Sequence, residues 1–455
     1  MAGKQGQHPS HTRSQPEQEI FDVVGVGFGP SNLAVAVAIA EHNAGVGADT
    51  QLSARFVERQ DRFGWHRGML IEDAAMQVSF LKDLVTLRNP VSPFSFLSYL
   101  HERDRLVDFI NYGSAFPTRL EFHDYLEWAA AGFADQIDYG TEVLDVVSVP
   151  GDPGLLDVCT RRADGRHTVQ RARNIVLATG LVPHLPERAR TSKRVWHSSD
   201  LLNRVPEIAS SEPKRFAVIG AGQSAAETVD YLHRTFPSAE VCAVFARYGY
   251  SPADDSSFAN RVFDPSAVDD FYTAPAAVKE LILAYHANTN YSVVDPDLID
   301  ELYRRHYREK VAGNERLRFR NVSRIADVVD LDDQVELAVE SMIDGSREVL
   351  TVDLIVYATG YRPADPCQLL GDVATRCRRD AEGRLEVRRD YRVNTDDGLT
   401  AGIYVQGATE HTHGLSSTLL SNIAVRSGEI VASIAVQGAA RSAPAAAPYV
   451  QPAAR

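Results

Sequence analysis

The chain has 455 residues, 44% hydrophobic and 24% charged, which is enough for two or three soluble domains with cores of their own. Its 61 acidic residues outnumber 47 lysines and arginines, and the net charge of −14 argues against nucleic acid or an anionic membrane surface as its main partner. The four cysteines, Cys159, Cys242, Cys367 and Cys377, form no CxxC pair; that removes a zinc knuckle and a dithiol redox centre and suits a reducing cytoplasm.

Residues 1–19 have no apolar core segment, so they read as a disordered tail and not as a secretory signal. From Phe21, "FDVVGVGFGPSNLAVAVAIAEH" is a β-branched strand, a glycine turn and a helix. Gly25 and Gly27 fit a dinucleotide turn, Gly29 is extra, and Pro30 stands where a third glycine belongs. Proline suits a first helical turn, where its missing N–H would be unpaired anyway. The apolar run "LAVAVAIA" inside this helix is too short to span a bilayer. The second strand, "ARFVERQ", is closed by Glu58, a carboxylate placed for the ribose hydroxyls of an adenosine, and FAD is the natural occupant.

Further on, "MQVSFLKDLVTL" carries Lys82 inside an apolar stretch, with Asp83 beside it as an obvious counter-ion. The residues alone leave two readings, a solvated face or a cation reaching into a pocket. A strand ending in Ala-Thr-Gly follows at Gly180. The second nucleotide unit begins at Lys214, "KRFAVIGAGQSAAETVDYLHRTF", with Gly220, Gly222 and Ala225 in the fingerprint positions and Gln223 and Ser224 between them. Its second strand, "AEVCAVFAR", ends in Arg247 with no acid at the tip, which favours NADPH over NADH.

Residues 265–310 read as helical, a small extra subdomain. "DLIVYATG" then ends a second Ala-Thr-Gly strand at Gly360. His411 and His413 have no carboxylate or cysteine at metal-ligand spacing, so no metal is expected. Residues 438–455, rich in alanine and proline, read as a second disordered tail. The fold class is α/β, with two dinucleotide-binding, Rossmann-like domains. The NADPH domain (210–350) is inserted in an FAD domain built from 20–205 and 355–435.

Over residues 20–435 the sequence resembles the flavin-dependent N-hydroxylating monooxygenases that act on L-ornithine or L-lysine. The resemblance rests on "VGVGFGPSNLAVA", "WHRGMLIEDAAMQVSFLKDLVTLRNPVSPFSFLSYL", "GAGQSAAE", "SPADDSSFANRVFDP", "NTNYSVV", "YATGYRP" and "HTHGLSSTLLSN". It implies that NADPH reduces FAD, that O2 adds at the flavin C4a as a hydroperoxide, and that the neutral side-chain amine of the substrate takes the distal oxygen. It places Gln77, Trp65, His66 and Leu415 at the flavin, and Lys82 on the substrate carboxylate. Asn260 and Asn290 would complete the substrate site. Thr289 and Tyr291 would touch the nicotinamide cofactor, and Arg247 its 2′-phosphate. In the loop Leu415–Thr418, Ser416 and Thr418 would meet the backbone end of the substrate, with Ser417 left as the alternative serine. Gln77, Asn290 and Ser416 would act nearest the chemistry. The family also implies a homo-oligomer, dimer or tetramer, a cytoplasmic location, and a place in hydroxamate siderophore or related natural-product biosynthesis.

The residue types agree with such a substrate, since a zwitterionic amino acid needs a cation for its carboxylate and neutral acceptors for its ammonium. The resemblance favours L-ornithine over L-lysine, which is longer by one methylene, and Lys82 argues against a diamine, which would leave it without a carboxylate. A disulfide reductase would need a cysteine pair beside the first nucleotide unit, and the first cysteine is Cys159. A Baeyer–Villiger oxygenase would need a phenylalanine-glycine-histidine-tryptophan order between domains, where "RVWHSSDLL" offers Trp196 before His197.

Overall fold

The computed structural model describes residues 18–442. Most of the two expected tails therefore lies outside the described residues; at their inner ends, the first strand begins at Ile20 and the last helix runs on to Ser442.

Strand β1 (Ile20–Val26) leads into the glycine turn, and α1 (Pro30–Gly45) starts behind it with Gly29 as N-cap and Pro30 in its first turn. Asn32 through Ile39 are all buried, which explains the unbroken apolar run. After β2 (Ala54–Val57), the short helices α2 (Phe96–Glu102) and α3 (Leu106–Tyr112) and the longer α4 (Arg119–Ala131) pack through Phe96, Tyr99, Phe109, Phe122 and Tyr125. Then come β3 (Ile137–Asp138), β4 (Thr141–Val149), β5 (Asp152–Arg162) and β6 (His167–Leu177), giving the order β3-β2-β1-β6-β5-β4. The first half of β6 runs antiparallel to β5; its second half extends parallel to β1.

The chain leaves this sheet through β7 (Leu181–Pro183). A second sheet follows: β8 (Val195–His197), helix α5 (Leu201–Ile208), β9 (Arg215–Ile219), α6 (Gln223–Thr235) and β10 (Glu240–Val244). Helices α7 (Pro265–Thr273), α8 (Ala276–Tyr285), α9 (Ala287–Asn290) and α10 (Pro296–Ala312) come next, then β11 (Leu317–Arg320). An antiparallel meander of β12 (Ser323–Asp330), β13 (Val335–Ser341) and β14 (Arg347–Val352) precedes β15 (Leu354–Tyr357). The second sheet is parallel throughout, in the order β11-β10-β9-β15-β8. The chain returns through β16 (Tyr361–Pro363), antiparallel to β7, and ends with β17 (Gly402–Val405) beside β6, α11 (Glu410–His413) and α12 (Ile423–Ser442), which packs on α1.

Two expectations shift. The boundaries drawn at 205 and 355 put β8 and the last residues of β15 with the first sheet, yet both strands pair in the second; the crossing between sheets is the β7–β16 pair. The expected 265–310 subdomain also ends sooner. Helix α10 is the crossover between β10 and β11, and its Leu298, Ile299 and Leu302 join the core of the second sheet. Helical spacing cannot tell a crossover helix from a separate helical unit.

The Ala-Thr-Gly strand ends acquire a steric role. Gly27 has φ +81°, and a Cβ there would stand 2.6 Å from the carbonyl oxygen of Ala178; Gly220 has φ +143°, and a Cβ would collide with that of Ala358. In each sheet the glycine turn crosses the alanine carbonyl of its neighbouring strand. Gly220→Ala is therefore expected to cost about 3 kcal/mol in a urea titration, through backbone strain and collision together. A loss well under about 1 kcal/mol would contradict this close approach.

Candidate functional site

The first glycine turn leaves open space at the head of α1. No atom lies within 4 Å of where a Cβ on Gly29 would be, so the turn is open there, with the N–H groups of α1 behind it. At Gly25 a side chain would run into Phe56 and Asn32, so the strand must approach closely. Glu58 stands at the end of β2 as expected, and its carboxylate accepts from the Phe28 N–H at 2.7 Å and the Gln60 N–H at 2.9 Å. Trp65 and His66 follow. His66 adopts the left-handed backbone (φ 51°, ψ 32°), with its ring edge-on to Trp65 and Tyr361. It is crowded by protein yet exposed on one side; desolvation and then the charge of Arg119 hold its pKa below the ordinary histidine value.

The segment 76–87 forms no helix; it is a chain of turns, with Gln77 exposed. Asp83 is not the counter-ion of Lys82. Its carboxylate is buried and accepts from the Val85, Thr86 and Phe96 N–H groups and from the Thr86 hydroxyl, at 2.6 to 3.0 Å. Among the described residues Lys82 has no ion pair. Its Nζ lies 5.6 Å from the centroid of the Phe263 ring; half-burial pushes its pKa down, opposed by Asp264.

Phe263 closes a 3₁₀ turn, Ala259–Phe263, that also carries Asn260. The Asn260 amide N–H donates to the Asp255 carbonyl at 2.6 Å. This turn packs on the Leu415–Thr418 turn, so the structure brings Lys82, Asn260 and the 415–418 loop together. Leu415 and Ser416 are buried, and Thr418 is half-buried. Around that loop and the start of α12, the hydroxyls of Thr409, Ser417 and Ser421 and both amide atoms of Asn422 are buried without a partner among the described residues. Buried polar atoms left unpaired are costly, and a polar ligand would satisfy them.

Helix α9 ends at Asn290, whose side chain lies outside the described residues. The Thr289 hydroxyl beside it is buried without a partner among the described residues, and the Tyr291 hydroxyl donates to Glu410, tying this segment to α11.

At the second turn Gly222 caps α6, and Ala225 is fully buried against Gly220. Ser224 is half-buried, and its carbonyl accepts from the Thr228 hydroxyl at 2.6 Å. Gln223 is more constrained than a free cofactor ligand: its amide N–H donates to Glu227 at 3.0 Å, and its carbonyl accepts from the Asp295 N–H at 2.8 Å. Arg247 stands three residues beyond β10, exposed, with one nitrogen donating to the Ser292 carbonyl at 2.9 Å. The strand is shorter than the sequence reading had it.

Sequence reasoning missed the Arg119–Glu227 pair, bidentate at 2.8 and 3.0 Å, which joins α4 to α6. The two residues are 108 positions apart, and neither carries a local pattern.

Two sheets, each with parallel strands at its centre and its own glycine turn, and a partly buried cation over a turn that packs on the 415–418 loop define an oxidoreductase of the two-dinucleotide class. The comparisons narrow it. Residues 19–363 match the family model described as L-lysine 6-monooxygenase/L-ornithine 5-monooxygenase. The L-ornithine N(5)-monooxygenase of Pseudomonas aeruginosa is 41% identical over 430 residues, 93% of this chain and 95% of that protein. The structure of the ornithine N-hydroxylase of Kutzneria sp. 744, with reduced FAD, NADP+ and L-ornithine, superposes with a TM-score of 0.89 at 49% identity, covering 92% of this chain and all of that one. The L-lysine 6-monooxygenase of Pseudomonas syringae gives a TM-score of 0.79 at 32% identity, over 91% and 99%. The chain belongs to the L-lysine 6-monooxygenase/L-ornithine 5-monooxygenase family.

Proposed function

We propose that the protein N-hydroxylates the side-chain amine of L-ornithine with NADPH and O2, yielding N5-hydroxyornithine for a hydroxamate siderophore or related natural product. The observation that carries this is Lys82: a half-buried cation without an ion pair among the described residues, over Phe263 of the turn that carries Asn260 and packs on the 415–418 loop. Lys82 holds the substrate carboxylate, Asn260 and Asn290 the α-ammonium, and Ser416 and Thr418 the backbone end. The relatives at 41% and 49% identity are ornithine enzymes, while the lysine enzyme stands at 32%. FAD, which supplies hydride acceptance and O2 activation when bound, fits the turn of Gly25, Gly27, Gly29 and Pro30 with Glu58; Trp65, His66, Gln77 and Leu415 flank it. NADPH fits the turn of Gly220, Gly222, Gln223, Ser224 and Ala225, with Arg247, Thr289 and Tyr291. The β7–β16 pair divides the FAD part from the NADPH part between it.

Among the described residues no helix is long and apolar enough to cross a membrane, and we place the enzyme in the cytoplasm. We also assign it a homo-oligomeric state: α8 buries none of its residues and exposes Leu281 and Tyr285.

The deciding experiment follows NADPH oxidation with L-ornithine, L-lysine and putrescine in parallel and quantifies the hydroxylamine product. NADPH use without product from L-ornithine would overturn the assignment.

The substrate amine, with an ordinary pKa of about 10.4, must react neutral, so kcat/KM should climb from neutral to mildly alkaline pH. Lys82 binds only while protonated, and burial pushes its pKa down; KM should therefore rise at the alkaline end, earlier than for an ordinary lysine. A profile falling between neutral and mildly alkaline pH contradicts this. Arg247→Ala should raise the KM for NADPH about 10- to 100-fold and leave that for NADH nearly unchanged, since only the 2′-phosphate loses its partner. Equal losses for both coenzymes would remove Arg247 from the phosphate site.

A further inference from the structure

Arg426 is an unusual charge in this fold. It lies in the first turn of α12, is 2% exposed, and forms no ion pair among the described residues. Glu429, on the same helix, is engaged by Arg389 at 2.8 and 2.9 Å. Neutral oxygens hold the Arg426 guanidinium instead: Nε donates to Gln406 Oε1 at 3.1 Å, and Nη1 to the carbonyls of Ser416 at 3.3 Å and Ser417 at 2.8 Å. Gln406 continues the line, its Nε2 donating to the Ser31 carbonyl at 3.0 Å and to Asn32 Oδ1 at 3.3 Å. Asn32 Nδ2 in turn donates to the Gly27 carbonyl at 2.7 Å. A continuous hydrogen-bonded line thus runs from the first glycine turn to the 415–418 loop.

A buried cation without a counter-ion is expensive, and an apolar side chain of similar volume would sit there at less cost. What an apolar side chain cannot do is hold two carbonyls and an amide oxygen at once, in the fixed fan of a guanidinium. We propose that Arg426 is a positioning residue for oxygen transfer: with Gln406 and Asn32 it fixes the Ser416–Ser417 loop at a set distance from the FAD turn, and so sets where the substrate amine meets the flavin. The inference rests on the functional reading above, which makes the first turn the FAD site and the 415–418 loop a substrate contact. No bond forms or breaks at Arg426.

The test compares full-length holoenzyme with the variants Arg426→Met, Arg426→Lys and Gln406→Met. It measures hydroxylated product per NADPH consumed, KM for L-ornithine against kcat, and deuterium uptake of residues 414–419. In Arg426→Met the product yield should fall about tenfold, with H2O2 in its place, and uptake should rise selectively in the loop. Arg426→Lys should recover part of both, because an ammonium reaches the two carbonyls but does not span to Gln406 as well. Gln406→Met should move both readouts the same way by less. Yield and uptake within about twofold of wild type in FAD-loaded Arg426→Met would overturn the proposal, as would changes confined to FAD content and melting temperature. If the wild type itself makes no product from L-ornithine, the functional reading fails separately, and deuterium uptake still decides whether Arg426 fixes the loop.

Discussion

Lys82→Ala is expected to raise the KM for L-ornithine on the order of 100-fold, while the variant goes on oxidising NADPH. The cation stands over the Phe263 ring, half-buried, with no ion pair among the described residues and no competing contact from Asp83. A charge-assisted hydrogen bond to a carboxylate in such a place is worth about 3 kcal/mol, and each 1.4 kcal/mol is about tenfold. The effect should fall on substrate binding because Lys82 is far in sequence from both glycine turns and contacts neither in the hydrogen-bond network described. Removing a half-buried charge without an ion-pair partner should not destabilise the fold, so the melting temperature of the substrate-free variant should hold or rise. That outcome separates a binding defect from misfolding. Steady-state kinetics with varied L-ornithine, alongside stopped-flow reduction by NADPH, reads both halves; an unchanged KM would return Lys82 to the role of an ordinary half-exposed lysine.

How much of this was legible in the sequence depended on distance along the chain. Both glycine turns were, because the residues that shape them are consecutive, and so was Glu58 one strand later. The Ala-Thr-Gly strand ends were visible as motifs. Their reason was not, since it lies in a clash between Gly27 and Ala178, or Gly220 and Ala358, that only the folded sheet creates. Asp83 misled because adjacency suggests pairing, whereas the turn at 83–86 aims its carboxylate inward at four donors. Strand β8 is three residues long, too short for any periodicity to assign it to a sheet. Gln223 looked like part of a phosphate turn, and its capture by Glu227 and Asp295 needed partners 4 and 72 residues away.

The Arg119–Glu227 pair, invisible to any local pattern, carries the largest stability effect expected of an ion pair among the described residues. Glu227 is 5% exposed and bonds both oxygens to the Arg119 fork, and Arg119 also donates to the Met69 carbonyl at 3.0 Å. Surface pairs contribute at most about 1 kcal/mol. Here Glu227→Ala strands a guanidinium at the junction of α4 and α6, and should cost about 3–5 kcal/mol in urea denaturation. The double variant Arg119→Met/Glu227→Leu should recover most of that, because two apolar side chains leave no buried charge behind. Its activity should not recover in step. Gln223, at the mouth of the second glycine turn, loses its Glu227 acceptor in both variants, so the KM for NADPH should stay raised about tenfold in the restabilised double variant. Stability and coenzyme binding would then part company in one protein. A Glu227→Ala enzyme within about 1 kcal/mol of wild type would reduce the pair to a surface contact. A double variant with normal NADPH affinity would free Gln223 from the positioning its bonds imply.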